Sequence, residues 1–255
     1  MPHVLLVRHG RTSANASGTL AGWTDGVGLD DTGRAQVHAL AERLRDVPVV
    51  VLASSPLQRC QETSDLLVEG APWAQAARRV ADDDLGECHY GSWTGRSLRE
   101  LATEDLWRTV QDQPSRARFP DSADYRAESI AAMSARAVAA ARRIDAEVEA
   151  EHGPHAVWLL VSHGDIIKAL LADAAGTHLD HFQRFQAGPA SLSVVHYSDR
   201  RPFLVRANDT GSDLSTLLPR PPAEGAGGGA GAGAGGDAGG GDAPSGDAVV
   251  GGGAA

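Results

Sequence analysis

The chain alternates short unbroken apolar runs with longer segments whose apolar residues recur every three or four positions. The two periods predict strands and helices in turn. Val4-Leu5-Leu6-Val7 is a β-branched and leucine run suited to a strand covered on both faces. A helix follows from about Thr32 to Asp46, with N-cap candidates at Asp30, Asp31 and Thr32 and with Val37, Leu40, Ala41 and Leu44 on one face. Val49–Ala53 is the second strand. Ser54-Ser55-Pro56 then reads as a helix start carrying Arg59, Thr63, Leu66 and Leu67. Residues 76–80 suggest an edge strand. Between Gly86 and Tyr125 the pattern breaks into loops, with one helix expected from about Ser97 to Gln111. Ala127–Glu151 reads as a long alanine-rich helix, Ala156–Val161 as a third buried strand, and Asp165 to about Ala175 as another helix. Ser191–Tyr197 and Phe203–Arg206 look like a closing hairpin. Strands and helices in this alternation mean an α/β fold.

Composition changes the picture at one end only. Of the 33 residues from Ala223 to Ala255, 15 are glycine and 10 alanine, with four acids and no base. That stretch has too little apolar surface to offset its ordering entropy, so it is expected to be a disordered tail dispensable for folding and activity. The remaining residues, 1–222, are the size of one domain. The net charge of −10 argues against nucleic acid and anionic membranes as partners, since both need a basic footprint. No apolar run is long enough to cross a bilayer, and the N-terminus has no signal-peptide pattern. Cys60 and Cys88 form no zinc-ligand spacing. The expectation is a reduced, cytoplasmic protein, monomer or homodimer.

The chemistry-bearing residues fall where strands end, which is where α/β folds bind ligands. Val4–Val7 runs into Arg8-His9-Gly10, the second strand opens onto Arg59, and the third runs into Ser162-His163-Gly164. A helix start just behind His163 favours an anion. Two arginines, two histidines and a helix N-terminus at one rim describe a phosphate pocket.

These residues resemble a family. Leu6-Val7-Arg8-His9-Gly10-Arg11-Thr12 with Asn15 is similar to the signature of the histidine phosphatase superfamily, in its phosphoglycerate-mutase-like branch. Four more blocks follow in the family's order: Gly22-Trp23-Thr24-Asp25, Ser54–Thr63 around Arg59, Leu85-Gly86-Glu87 with Tyr90 and Trp93, and Val161–Gly164. Trp107–Gln111 and Ser162–Ala169 look most like an actinobacterial, phosphomutase-like subgroup. The resemblance implies a three-layer α/β/α sandwich with a mostly parallel central sheet, and catalysis with neither metal nor cofactor. It makes His9 the nucleophile and Glu87 the acid that protonates the leaving oxygen. Arg8, Arg59 and His163 become the groups that hold the phosphate, with Asn15, Gly22, Thr24 and Gly164 as further binding positions. Residues 92–125, with Arg96, Arg99, Arg108, Arg116 and Arg118, would cover the pocket and read the substrate. Burial beside Trp93 and Tyr90 would raise the Glu87 carboxyl. Two positions depart from the family: Cys88 stands where glycolytic mutases have an arginine, and Tyr125–Ser129 replaces a Gly-Gly-Glu-Ser run.

The implied substrate is a small phosphorylated metabolite, hydrolysed as a phosphomonoester; the alternative is a phosphomutase moving the group between hydroxyls. A third reading is a binding module without catalysis, against which Arg8, His9, Arg59, Glu87 and His163 all stand in place. A metalloenzyme built on His178 and His181 would need a carboxylate–histidine set of recognised spacing, and none accompanies them.

Overall fold

The computed structural model describes residues 1–211, so the residues 223–255 read as a tail lie outside the described part. Strands and helices fall close to where their periods place them. In chain order they are β1 (His3–Arg8), α1 (Ser13–Ala16), α2 (Asp31–Leu44), β2 (Val49–Ser54), α3 (Gln58–Val68) and β3 (Arg78–Ala81). Then come α4 (Leu98–Leu101), α5 (Asp105–Asp112), α6 (Ile130–His152), β4 (Val157–Ser162), α7 (Gly164–Ala174), β5 (Leu192–Tyr197) and β6 (Pro202–Asp209).

The six strands form one sheet in the order β3-β2-β4-β1-β5-β6. The first four run parallel, and the terminal hairpin adds β5 antiparallel to β1. Successive residues of each central strand feed opposite faces. Val4, Leu6, Trp158 and Leu160 pack with Met133, Ile144, Ile167 and Leu171 of α6 and α7. Leu5, Val7, Leu159 and Val161 pack with Val37, Leu40, Cys60 and Leu67 of α2 and α3. The unbroken apolar runs are therefore explained by helices on both sides, and the fold is a three-layer α/β/α sandwich.

Three local differences from the sequence reading have visible causes. Ser55 is not the cap of α3: that helix starts at Gln58 after Leu57, whose side chain makes no capping bond. The helix expected over residues 97–111 is broken into α4 and α5. Glu104, at the break, is drawn onto the Trp93 indole (2.8 Å) and Arg96 (2.7 Å), and the Thr103 hydroxyl bonds back to the Glu100 carbonyl. The long helix begins three residues later than expected, because Ser129 caps it by accepting from the Ala132 amide while Ala127 bridges Tyr90.

Candidate active site

Sheet register sets the site. Arg8 pairs with Ser162 across β1 and β4, so His9 and His163 emerge side by side, their ring centroids 5.3 Å apart. On the other side of β4, Ser54 pairs with Val161. This places the Ser55 hydroxyl 2.7 Å from His163 Nε2, and the same oxygen accepts from the Leu57 amide at 3.3 Å in a turn that precedes α3 rather than capping it.

His9 is buried, and its Nδ1 lies 2.7 Å from the Gly10 carbonyl. A carbonyl only accepts, so Nδ1 carries the proton and Nε2 keeps its lone pair. Burial pulls the imidazole well below its ordinary range, and the charges of Arg59 and Arg8 pull the same way. His163 is shifted in the same direction by burial, then by Arg59 and His9. Both rings are thus neutral at physiological pH.

Arg8 is fully buried and donates one bond, from Nη1 to the Ala187 carbonyl at 2.8 Å. Its Nε and Nη2 have no partner. Each such buried donor left unmade costs about 1–3 kcal/mol. Burial lowers this guanidinium to about 10, against the pull of Glu87 and Asp165, so it stays charged at neutral pH. Arg59, on the first turn of α3, donates to the Gly22 carbonyl at 2.8 Å. Gly22 itself has φ of +51°, a left-handed turn that presents this carbonyl.

Glu87 sits in the loop after β3. Its Oε1 accepts from the Cys88 amide at 2.9 Å, and its Oε2 is 3.8 Å from His163 Nδ1. Its carboxyl is pushed up to about 7, first by burial and then by the charge of Asp165, with Arg59 and Arg8 opposing. Tyr90 and Trp93 are both fully buried, and Tyr90 feels the charge of Glu87, but their polar atoms bond elsewhere. The Tyr90 hydroxyl donates to Asp165 Oδ2, and the Trp93 indole is spent on Glu104. Trp23 is the aromatic that touches the acid loop, donating from its indole to the Glu87 carbonyl at 2.6 Å. A Cβ on Gly86 would lie 2.4 Å from that ring, so only glycine lets it close down.

The cleft is lined by His9, Arg59 and Glu87 together with Thr12, Asn15, Gly22 and the wall described below. Asn15 closes a capping box on Thr12, accepting from the Thr12 amide at 3.1 Å. Thr24 does not line the cleft; its hydroxyl oxygen is buried without a partner. Gly164 is the first residue of α7, behind His163, and the dipole end that the sequence offered to an anion already carries Asp165. Of residues 92–125 only Leu98 reaches the lining. Arg96 pairs with Glu104 and Arg118 with Asp121, Arg116 bonds Gln113, Arg99 and Arg108 are exposed, and Trp107 is core. Among the described residues no three metal-ligating side chains gather, and no helix is long and apolar enough to cross a membrane.

Two residues escaped the sequence reading. Asp165 lies beneath the site, bonded to Tyr90 and Lys168. Arg136 of α6 donates to the carbonyls of Asp84, Gly86 and Glu87 and pairs with Glu128, which in turn accepts from the His89 amide. The pair grips the acid loop on both sides of Glu87. Backbone carbonyls some fifty positions away leave no mark in a sequence, so only the paired charges Glu128 and Arg136 hinted at it.

The cleft thus presents one guanidinium, a neutral imidazole and a carboxyl raised to about 7, with the fully buried Arg8 and His163 behind its lining, a set suited to a tetrahedral anion. A family model, the histidine phosphatase superfamily (branch 1), matches residues 4–210. Phosphoserine phosphatase 1 of Hydrogenobacter thermophilus is 29% identical, over 82% of this chain and 93% of its own. A 2,3-bisphosphoglycerate-dependent phosphoglycerate mutase of Gloeobacter violaceus is 28% identical, over 86% of this chain and 92% of its own. Bacillus stearothermophilus YhfR shares the fold with a TM-score of 0.70 at 24% identity, over 82% of this chain and 98% of that one.

Proposed function

The chain belongs to the histidine phosphatase superfamily, and from that premise we propose that it is a phosphomonoesterase working through a phosphohistidine on a small phosphorylated metabolite. The observation that carries this reading is Arg8: a fully buried cation with two unpaired donors, beside an imidazole whose Nε2 is left as the base. A fold tolerates such a charge when an anion completes it.

His9 Nε2 attacks phosphorus as the bond to the leaving oxygen breaks, and Glu87 gives that oxygen its proton. Water then attacks the phosphohistidine; Glu87, now a carboxylate, takes the water's proton, and the N–P bond breaks to release phosphate. Arg8, Arg59 and His163 hold the equatorial oxygens through both steps, with Asn15 and Gly22, on the cleft lining, as outer positions. Phosphoryl transfer needs chiefly positioning and charge stabilisation, so two guanidinium groups supply what a metal would elsewhere. A carboxyl near 7 suits both of its duties, since it is protonated in part and can also accept. The catalytic domain is proposed to span residues 1–222, with residues 92–125 covering the cleft through Leu98. A cytoplasmic setting belongs to the same proposal, supported by Cys60 and Cys88 standing as separate buried thiols.

Two relatives of nearly equal identity, one a phosphatase and one a mutase, leave the acceptor of the phosphoryl group to experiment. The test is phosphate release from a panel of phosphomonoesters in EDTA, wild type against His9→Ala. Expected is metal-independent release that falls by about 10⁴-fold or more in the variant. Isomerisation of 3-phosphoglycerate without release would make the protein a mutase, and silence on every ester would overturn the catalytic reading.

A further inference from the structure

The cleft has a second part that the phosphate does not use. Beyond the catalytic groups and Thr12, Asn15 and Gly22, its wall consists of Ala14, Gly18, Thr19, Leu20, Ala21 and Leu98, none of which carries charge. Arg8 and Arg59 are committed to the phosphate under the reading above, and Arg136 is spent outside the cleft on Glu128 and the acid-loop carbonyls. The arginines beside the lining in sequence are turned elsewhere. Arg11 donates to Asp30 at 2.8 Å and to Thr32, and Arg96 is 2.7 Å from Glu104. Arg99, next to Leu98, stands exposed outside the lining. Cys88, the position after the acid, is fully buried and its amide is spent on Glu87.

The wall is also fixed. Its two strips are tied by backbone bonds, from the Leu20 amide to the Arg96 carbonyl (2.9 Å), from the Gly95 amide to Leu20 (2.7 Å) and from the Leu98 amide to Gly18 (2.8 Å). A substrate therefore meets this surface largely as it stands.

We infer that the site takes phosphomonoesters whose alcohol half bears no negative charge, such as a phosphorylated polyol or sugar, and disfavours esters carrying a carboxylate. The inference rests on the phosphatase reading and names its substrate class. A carboxylate a few ångströms from the phosphate would leave water for an aliphatic wall with no cation among the described lining residues beyond those the phosphate occupies. An anion desolvated without a partner pays a large penalty. It would also approach Glu87, which becomes negative once it has given up its proton, and like charges raise the energy of that state. A neutral polyol meets neither obstacle.

The experiment compares kcat/KM for two matched pairs, glycerol 3-phosphate with 3-phosphoglycerate and phenyl phosphate with 4-carboxyphenyl phosphate. Wild type and Leu98→Arg are assayed together. Leu98 is only partly buried, so the arginine can be accommodated. Expected is a preference of tenfold or more for the uncharged member of each pair that is turned over. In Leu98→Arg that preference should shrink several-fold through faster turnover of the carboxylated member. Equal rates, or a preference for the carboxylated ester in wild type, would overturn the inference while leaving the phosphatase reading intact. No release from any of the four would overturn the phosphatase reading, and the inference with it.

Discussion

The two parts of the cleft are built on different principles. At the phosphate end Arg8, His9, Arg59, Glu87 and His163 are all buried and charged or ionisable; Arg8, His9 and His163 sit at strand ends, Arg59 on the first turn of α3 and Glu87 in the loop after β3. At the other end the wall is neutral, comes from loops and the short helices α1 and α4, and is fixed by backbone bonds rather than by sheet register. The first is costly to fold, with unmet donors and shifted protonation; the second is ordinary packing. Reaction chemistry is thus written into the register of a rigid sheet, and substrate choice into loops that can change without disturbing it.

Glu87→Gln tests the phosphate end where the effect is largest. The glutamine keeps the shape but cannot give a proton, so turnover should fall by about 10²–10⁴-fold. In wild type the rate of the first step should decline as pH rises through about 7, where the acid is lost, and the variant should lack that limb. Because His9 is held far below its ordinary range, no acid limb is expected near 6.5. Stability carries a matching sign. The folded state keeps a proton on Glu87 between about 4.5 and 7 while the unfolded chain does not, so the Glu87 contribution to stability falls as pH rises across that window. His9 and His163, held neutral in the fold, contribute with the opposite sign below about 6.5, so the Glu87 share is read from the wild-type-minus-Glu87→Gln difference in melting temperature, which should fall as pH rises from about 4.5 to 7. A limb at 7 that survives the substitution would remove Glu87 from the mechanism.

Arg8→Met separates function from stability at the same end. Losing one guanidinium from the phosphate should lower kcat/KM by about 10²–10³-fold. In phosphate-free buffer the variant should nevertheless melt at a higher temperature, because two unmet buried donors disappear for the loss of one bond to Ala187. Adding inorganic phosphate should raise the melting temperature of wild type and leave the variant unmoved. A variant that keeps its activity would dissolve the contrast between the two ends.

The phosphate end was also the part most legible in the sequence, for a physical reason. Apolar runs ending in Arg-His-Gly and Ser-His-Gly announce two strand ends, and parallel neighbours bring strand ends together. Which strands are neighbours is set by packing over long separations, and that is where the reading stopped. Ser55 looked like a helix cap because Pro56 follows it; only the β2–β4 pairing reveals that its hydroxyl meets His163. The arginines of residues 92–125 looked like substrate readers because charge in a loop near a pocket often is. Arg96, Arg116 and Arg118 find acceptors within eight residues, in Glu104, Gln113 and Asp121, and the lining fell to Leu98 instead.

Arg136 sharpens the comparison most finely, because it acts on the phosphate end from outside the cleft. Its fork reaches three carbonyls of the acid loop and one carboxylate, a pattern that a lysine's single ammonium cannot reproduce at unchanged charge. Arg136→Lys should therefore loosen Glu87 without altering the local field. Expected are a kcat lowered by about tenfold, in line with the loss of a positioning contact, and a KM close to wild type. The limb at about 7 should move downward as the carboxyl gains access to water. A merely structural arginine would lower the melting temperature and leave both kcat and the limb where they were. The decisive form is the double variant: placed on Glu87→Gln, Arg136→Lys should cost almost nothing further in kcat, because a residue that works only through Glu87 has nothing left to position. A full additional tenfold loss would show that α6 holds some other part of the phosphate end.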